Sequence, residues 1–530
     1  MKTLRIIFIL QLVGIFSHTH AQVWQWSTPV EGLISEETNA NPQAFLWIPE
    51  NCKEVKGVVV GMHNMIEEGM LENENFRKKL TELGLAEVWV TPVLEFPFDF
   101  HKDAPKHFQT MMDALAKVSG YTELSKAPII PLGHSAMATY PWNFGAWNPA
   151  RTLAIISVHG DTPQTNLTGY GRANPDWENR TIEGVPSLFI MGEYEWWEKR
   201  LEPGFQHVSK HPKTPITFFA DAGHGHFDYN ESMVDYVGLF IEKAVKYRLP
   251  KKTSEALRPV YPQNGWLIDR WRKDSLPTSP ARPYSQFTGN KYTASWCFDK
   301  EHAQVTETFY AKARSKKMQH LGLLQEGKML VPSNNHAQYQ PIFKPLSDGI
   351  SFRFKAFFSD TTKTKELTNH AKTSIKIDRI CGPVKKLDDS TFQVSFYRMG
   401  FNNKKRSNVI WLLAHNEGDE VYKSAVQQFE LRFPLQNTQG YSQKISFEAI
   451  PNSQKNVRSI ALRATSNAGL PIYFYVKEGP AFIKNQQLIF TKIPPKSNMP
   501  IKVTVVAWQY GIMGKVQSAE PVEQSFWIEK

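Results

Sequence analysis

The stretch Pro131 to Trp142 reads PLGHSAMATYPW, and Ser135 sits in it between an apolar run and a series of small residues. A serine hydroxyl is a weak nucleophile. It becomes effective when a base lies within hydrogen-bond reach, a third group orients the base, and N–H donors face the developing oxyanion. Residue types suited to those roles recur after other apolar runs. His224 and His226 lie in DAGHGHFD, Glu195 lies in GEYEWWEKR, and Asn64 and Met65 lie in GMHNM. In open α/β sheets reactive groups gather beyond the carboxyl ends of the strands. The candidates are therefore residues that directly follow a strand.

Ser135 follows the strand-like APIIPLG and precedes a helical pattern. That is the strand–turn–helix context of a nucleophile elbow. Gly133 permits the tight turn, and the Ala136 N–H faces the oxyanion from a helix start. Met137 stands where such elbows carry a small residue, and Ala138 follows it. The alternative role for Ser135 is a plain helix N-cap. His224, directly after Ala222-Gly223, is the expected base, with His226 as the second choice. Glu195, the third residue after Gly192, is the expected orienting acid; Glu193, Glu198 and Asp161 remain alternatives. The N–H of Asn64 or Met65 is the expected second oxyanion donor. His63 is a candidate substrate contact or a packed turn residue. Trp196 and Trp197 are the aromatic pair expected to meet substrate, because consecutive residues do not both turn inward easily. Phe96, Phe98, Trp142, Trp147 and Trp177 also crowd the loops, where packing is the commoner role of an aromatic ring. The i,i+2 histidine pair is weak evidence for a metal site, and no metal is expected.

These residues need a scaffold that aligns strand ends. Six apolar runs supply it: VKGVVVGMHN, AEVWVTPV, APIIPLG, LAIISVHG, PSLFIMGE and PITFFADAG. Helical patterns alternate with them at NENFRKKLTELG, at Ala104 to Gly120 with Met111, Met112, Leu115 and Val118 in register, and at Ser232 to Tyr247. Strands apolar throughout and separated by helices predict a mostly parallel sheet with helices on both faces. The polar loop from Asp161 to Gly184 suits a lid or cleft wall. Residues 22–250 are thus read as an α/β domain. Residues 251–292 turn polar and proline-rich and read as a linker or wrapping segment, with Trp266 and Trp271 pinned to a neighbour. Short alternating strands predict a β-rich accessory domain over 293–437 and an Ig-like β-sandwich over 438–530.

Lys2, Arg5, the apolar run Ile6 to Phe16 and the small residues up to Ala21 predict a cleavable export signal over 1–21, cut after Ala21. A secreted or periplasmic location follows. No later stretch is apolar enough to span a bilayer. Cys52, Cys297 and Cys381 form no CxxC pair, so neither a zinc site nor a dense disulfide framework is indicated. Asn166-Leu167-Thr168 and Asn179-Arg180-Thr181 match the glycosylation sequon. Val23 to Pro250 holds 19 Lys and Arg against 29 Asp and Glu, whereas Lys251 to Lys530 holds 41 against 22. Opposite charge on the two halves fits solvated faces or docking of one half on the other. It also fits an acidic polymer as partner. Scattered basic residues without a binding module argue against nucleic acid.

The chain order Ser135, Glu195, His224 and the strand positions resemble the α/β-hydrolase superfamily over Lys56 to Tyr247. The likeness rests on Gly133-His134-Ser135-Ala136, Gly192-Glu193-Tyr194-Glu195 and Ala222-Gly223-His224-Gly225. Within that superfamily the chain resembles secreted, multi-domain carbohydrate esterases of polysaccharide-degrading Bacteroidota. The resemblance implies cofactor-free acyl transfer on acyl or methyl esters of a plant or algal polysaccharide. A serine peptidase of the same fold and a non-catalytic glycan-binding protein are the alternatives.

Overall fold

The computed structural model describes residues 23–166, 172–195, 197–252, 255–333 and 337–530. The expected export signal, Trp196, and Leu167 and Thr168 of the first sequon lie outside the described residues, as does the side chain of Trp197.

An eight-stranded sheet organises the first half. Its strands are β1 (Trp26–Pro29), β2 (Gln43–Trp47), β3 (Gly57–Met62), β4 (Leu85–Thr91), β5 (Ile129–His134), β6 (Ile155–Val158), β7 (Ser187–Gly192) and β8 (Ile216–Asp221). They lie in the order β1-β2-β4-β3-β5-β6-β7-β8. β1, β2 and β4 pair antiparallel, and every pairing from β4 to β8 is parallel. This is α/β-hydrolase architecture. β3 to β8 are buried along their whole length, as strands covered on both faces must be. The six apolar runs became these six strands. β1 and β2 carried no comparable signal, being short, and β1 ends in proline at the sheet edge.

The helices are α1 (Glu67–Leu71), α2 (Glu74–Leu83), α3 (Ala104–Ser119), α4 (Thr139–Trp147), α5 (Trp197–Lys210), α6 (Glu231–Arg248) and α7 (Lys300–Ala311). Local chemistry sets several ends. The Asn73 side chain accepts the Phe76 N–H at the start of α2, and Gly84 closes it with φ of 71°. Asn230 caps α6 by accepting the Met233 N–H. Met111, Met112 and Leu115 of α3 face the sheet, whereas Val118 is exposed.

Beyond Pro250 the chain wraps back on the eight-stranded sheet. Trp266–Ile268 pairs with Arg282–Pro283 and Ser295–Cys297, and Trp271 is buried in the hydrolase core. The open edge of β8 is covered there. Thr217 Oγ1 donates to the Trp296 carbonyl at 2.6 Å, and the Phe218 N–H donates to Ser295 Oγ at 2.9 Å. Such cover suppresses edge-to-edge association. α7 packs on α6, with Tyr236 Oη 2.9 Å from His302 Nε2. Phe298, Ala303 and Tyr310 join the core of the eight-stranded sheet, and the same buried cluster reaches Leu413, Val503 and Phe526 of the C-terminal half.

The rest is mostly antiparallel β-structure, consistent with a β-sandwich-like region; Ser453–Gln454 pairs parallel with Val522–Glu529. One group pairs Lys376–Cys381, Val409–Asn416 and Ala425–Arg432; another pairs Ser351–Arg353, Val384–Lys386 and Thr391–Val394. Together they enclose a second core rich in phenylalanine. A last group centres on Ile501–Trp508 and Val522–Glu529.

The charge asymmetry is spent partly at the junction of the halves. Arg398 binds Glu68 at 2.6 Å and Glu72 at 2.5 Å, Arg379 binds Glu68 at 3.1 Å, and Arg406 binds Glu37 at 3.1 Å. Lys423 binds Glu193 at 2.6 Å. Each acid is from the first half and each base from the second.

Candidate active site

Ser135 follows β5 with a φ of +53°, a left-handed conformation rare for a residue with a Cβ. The tight turn at this half-buried serine is made possible by close backbone approach. A Cβ at Gly133 would lie 2.1 Å from the Met137 carbonyl oxygen. Met137 itself turns into the core and is fully buried. The need for small side chains is met one residue later: a Cβ at Gly160 would lie 1.9 Å from that of Ala138. The methionine therefore does not obstruct the elbow.

Ser135 Oγ lies 2.6 Å from His226 Nε2, and His226 Nδ1 is hydrogen-bonded to Glu195 Oε1. The serine comes from the end of β5, the carboxylate from the loop after β7 and the imidazole from the loop after β8. Burial opposes the Glu195 charge, but His226 and His159 outweigh it and hold the carboxyl well below the usual carboxylate range. The acid is thus ionised at neutral pH and fixes an N–H on His226 Nδ1, leaving Nε2 to accept the serine proton.

His224, the expected base, does not reach the serine, and that expectation is corrected here. Its Nδ1 is 2.5 Å from Asp228 Oδ2. Burial works against its proton, but Asp221 and Asp228 outweigh it and push the imidazole up to about 9. An imidazole already protonated at neutral pH cannot accept a proton. Asp221, His224 and Asp228 offer ligand atoms within 4.8 Å of one another, a spacing a divalent cation can bridge. Here the His224 charge offsets part of the negative charge of Asp221 and Asp228.

The other acids have different partners. Glu193 binds Lys423, Asp161 accepts from Thr139 Oγ1 at 3.2 Å, and Glu198 is exposed on α5. Met65 is also corrected as an oxyanion donor, because its N–H donates to Glu67 Oε2 at 3.0 Å. Ala136 is the second residue of a short turn of helix, so its N–H has no intrahelical acceptor. The Asn64 N–H has no acceptor among the described residues. Its side-chain amide donates to the His134 carbonyl at 2.8 Å, and its own carbonyl accepts from Arg406 at 2.7 Å. Asn64 and Ala136 thus remain as the candidate donor pair.

His63 is a packed residue rather than a substrate contact. It is buried against Trp89, with Nδ1 2.8 Å from Thr91 Oγ1. Phe98, Trp142 and Trp177 are buried as well; Trp142 donates to the Asp161 carbonyl at 2.7 Å and Trp177 to Asn143 Oδ1 at 2.8 Å.

Two supporting residues left little sign of their role in the sequence. His134 Nε2 is 2.7 Å from the His226 carbonyl, so the residue before the serine also braces the base loop. Glu67, fully buried, accepts the His134 N–H at 2.8 Å and the Met65 N–H at 3.0 Å. Burial pushes it up to about 7 against those N–H donors. It ties the donor loop after β3 to the elbow after β5. Its position at the start of an acidic, glycine-containing turn (IEEGM) was the one available hint.

No protein-family model matches the chain, and no curated protein matches it either. Solved structures similar to it include an S-formylglutathione hydrolase from Agrobacterium tumefaciens, 14% identical over 41% of this chain and 94% of that one, with a TM-score of 0.29. Est1E from Butyrivibrio proteoclasticus is 15% identical over 42% of this chain and 100% of its own, with a TM-score of 0.28. A ferulic acid esterase is 13% identical over 41% of this chain and 98% of its own, with a TM-score of 0.29. No described helix is long and apolar enough to cross a membrane.

Proposed function

We propose that the chain is a serine hydrolase of carboxylic esters, with Ser135 as nucleophile, His226 as base and Glu195 as orienting acid. The observation that carries this reading is the continuous contact from Ser135 Oγ to His226 Nε2 at 2.6 Å, and on from Nδ1 to Glu195. His226 takes the serine proton as Oγ attacks the ester carbonyl. The Ala136 and Asn64 N–H groups receive the oxyanion, each donor lowering the barrier by about 3 kcal/mol. The imidazolium then protonates the leaving alcohol, and a water activated by the same imidazole cleaves the acyl-enzyme.

The finer reading is an exported carbohydrate esterase acting on acyl or methyl esters of a plant or algal polysaccharide. The basic, apolar and small-residue succession at the N-terminus supports export, and the consecutive aromatics Trp196-Trp197, next in sequence to Glu195, are of the residue type that meets sugar. Full-length protein and Ser135→Ala should be assayed against acetylated, methyl-esterified and feruloylated polysaccharides and against peptide amides. Ester release by the first protein alone, without amide cleavage, is the expected result. Equal release by Ser135→Ala would overturn the assignment.

A further inference from the structure

We propose that Lys423, from the β-rich region, is a positioning residue that sets the geometry of Glu195 and His226; this rests on the Ser135–His226–Glu195 reading above. Glu195 and His226 stand on two loops, after β7 and after β8. Glu193, two residues before the acid, joins them. Its Oε2 accepts the Gly223 N–H at 2.8 Å, and its Oε1 accepts from Lys423 Nζ at 2.6 Å. Neighbouring contacts repeat the pattern. The Tyr194 N–H donates to the His224 carbonyl at 3.0 Å, and the Tyr194 hydroxyl donates to the Ser424 carbonyl at 2.8 Å. Ser424 Oγ donates to the Gly223 carbonyl at 3.0 Å. Approach is so close that a Cβ on Gly223 would lie 2.0 Å from Ser424 Oγ. The acid loop, the base loop and the segment leading into the strand Ala425–Arg432 therefore form a single hydrogen-bonded unit.

The side chains of Lys423 and Glu193 are each 1% exposed. A buried ion pair is a poor source of stability compared with apolar residues of similar volume. What it supplies is direction: one Glu193 oxygen is held by the Lys423 ammonium and the other by the Gly223 N–H. Lys423 also binds Asp274 at 2.9 Å, so the wrapping segment is drawn into the same clamp. The β-rich region thus reaches the reaction through the loop that holds the acid, and it touches the oxyanion loop as well, through Arg406 on the Asn64 carbonyl.

The test uses the full chain and p-nitrophenyl acetate, with the pre-steady-state burst counted per chain. Lys423→Met should lower kcat about 10²-fold through loop misplacement, with KM changed by no more than roughly two-fold and a burst of unchanged amplitude. Lys423→Arg should recover part of the loss. Glu193→Gln, which keeps the Gly223 acceptor and loses the charge, should lower kcat in the same way and decides the matter if Lys423→Met does not fold. Lys477→Met, which breaks an exposed pair with Glu523, should leave kcat unchanged. Wild-type kcat in folded Lys423→Met or in Glu193→Gln overturns the proposal. A burst amplitude that falls in proportion to kcat overturns it too, since it reports unfolded chains. A burst that survives Ser135→Ala refutes the nucleophile itself and is read separately.

Discussion

Replacing each histidine of the Gly-His-Gly-His stretch by glutamine separates a base from a structural charge. His226 is in contact with Ser135 and Glu195, and its side chain is 18% exposed. His226→Gln removes the proton acceptor while leaving a polar, partly solvated side chain in its place. Loss of the general base should cost at least about 10³-fold in kcat. The melting temperature should stay within a few degrees, as at other partly solvated polar sites. His224→Gln removes the positive charge between Asp221 and Asp228, whose side chains are 0% and 1% exposed. Leaving buried carboxylates without their counter-charge costs about 3–5 kcal/mol. At roughly 2–4 °C per kcal/mol in a domain of this size, the melting temperature should fall by about 10 °C. Turnover by the folded protein should fall less than about ten-fold. p-Nitrophenyl acetate hydrolysis at 25 °C and differential scanning calorimetry read the two effects. An active, destabilised His226→Gln beside a stable, inactive His224→Gln would refute the reasoning.

Because His224 is held up near 9 from an ordinary value of 6.5, its contribution to stability is complete below about 6.5 and is lost as the pH rises through 9. Melting temperature should fall over that window in the native protein, and the slope should shrink in His224→Gln. Gly160→Ala should abolish ester hydrolysis, since its Cβ would stand 1.9 Å from that of Ala138; Gly160→Ala with Ala138→Gly should restore it, as initial rates will show. Arg398→Met should lower stability by about 3–5 kcal/mol in urea titration, because Glu68 and Glu72 then lose a counter-charge in a buried junction. A variant that unfolds at the native urea midpoint would show that the junction does not depend on that pair.

The hydrolase sheet was legible because parallel strands buried on both faces write themselves as unbroken apolar runs. PITFFA and PSLFIMG have no other economical reading. The antiparallel edge left no such mark: WSTP and QAFLW are short, and one ends in proline. The tight turn at Ser135 was legible from Gly133 and the strand before it. The choice of histidine was not, since His224 and His226 are separated by a single glycine, and only the path of that loop decides which ring meets β5. Nor could sequence pair Asp228 with His224, because the pairing depends on the turn closing over four residues. Met137 looked like an obstacle because elbow packing was assigned to one position, whereas Ala138 and Gly160 perform it. The opposite charges of the halves were plain in the composition; that Lys423 reaches Glu193, 230 residues away, is a property of the fold alone.

The role proposed for Ser135 is that of a nucleophile held by His226. Reaction of the full chain with an aryl fluorophosphonate, followed by peptide mapping in a mass spectrometer, tests it most directly. One adduct per chain on the Ser135 peptide, slowed severely in His226→Gln and unaffected in rate by Lys477→Met, is the expected result. An adduct on another residue, or labelling of Ser135 at full rate without His226, would contradict it.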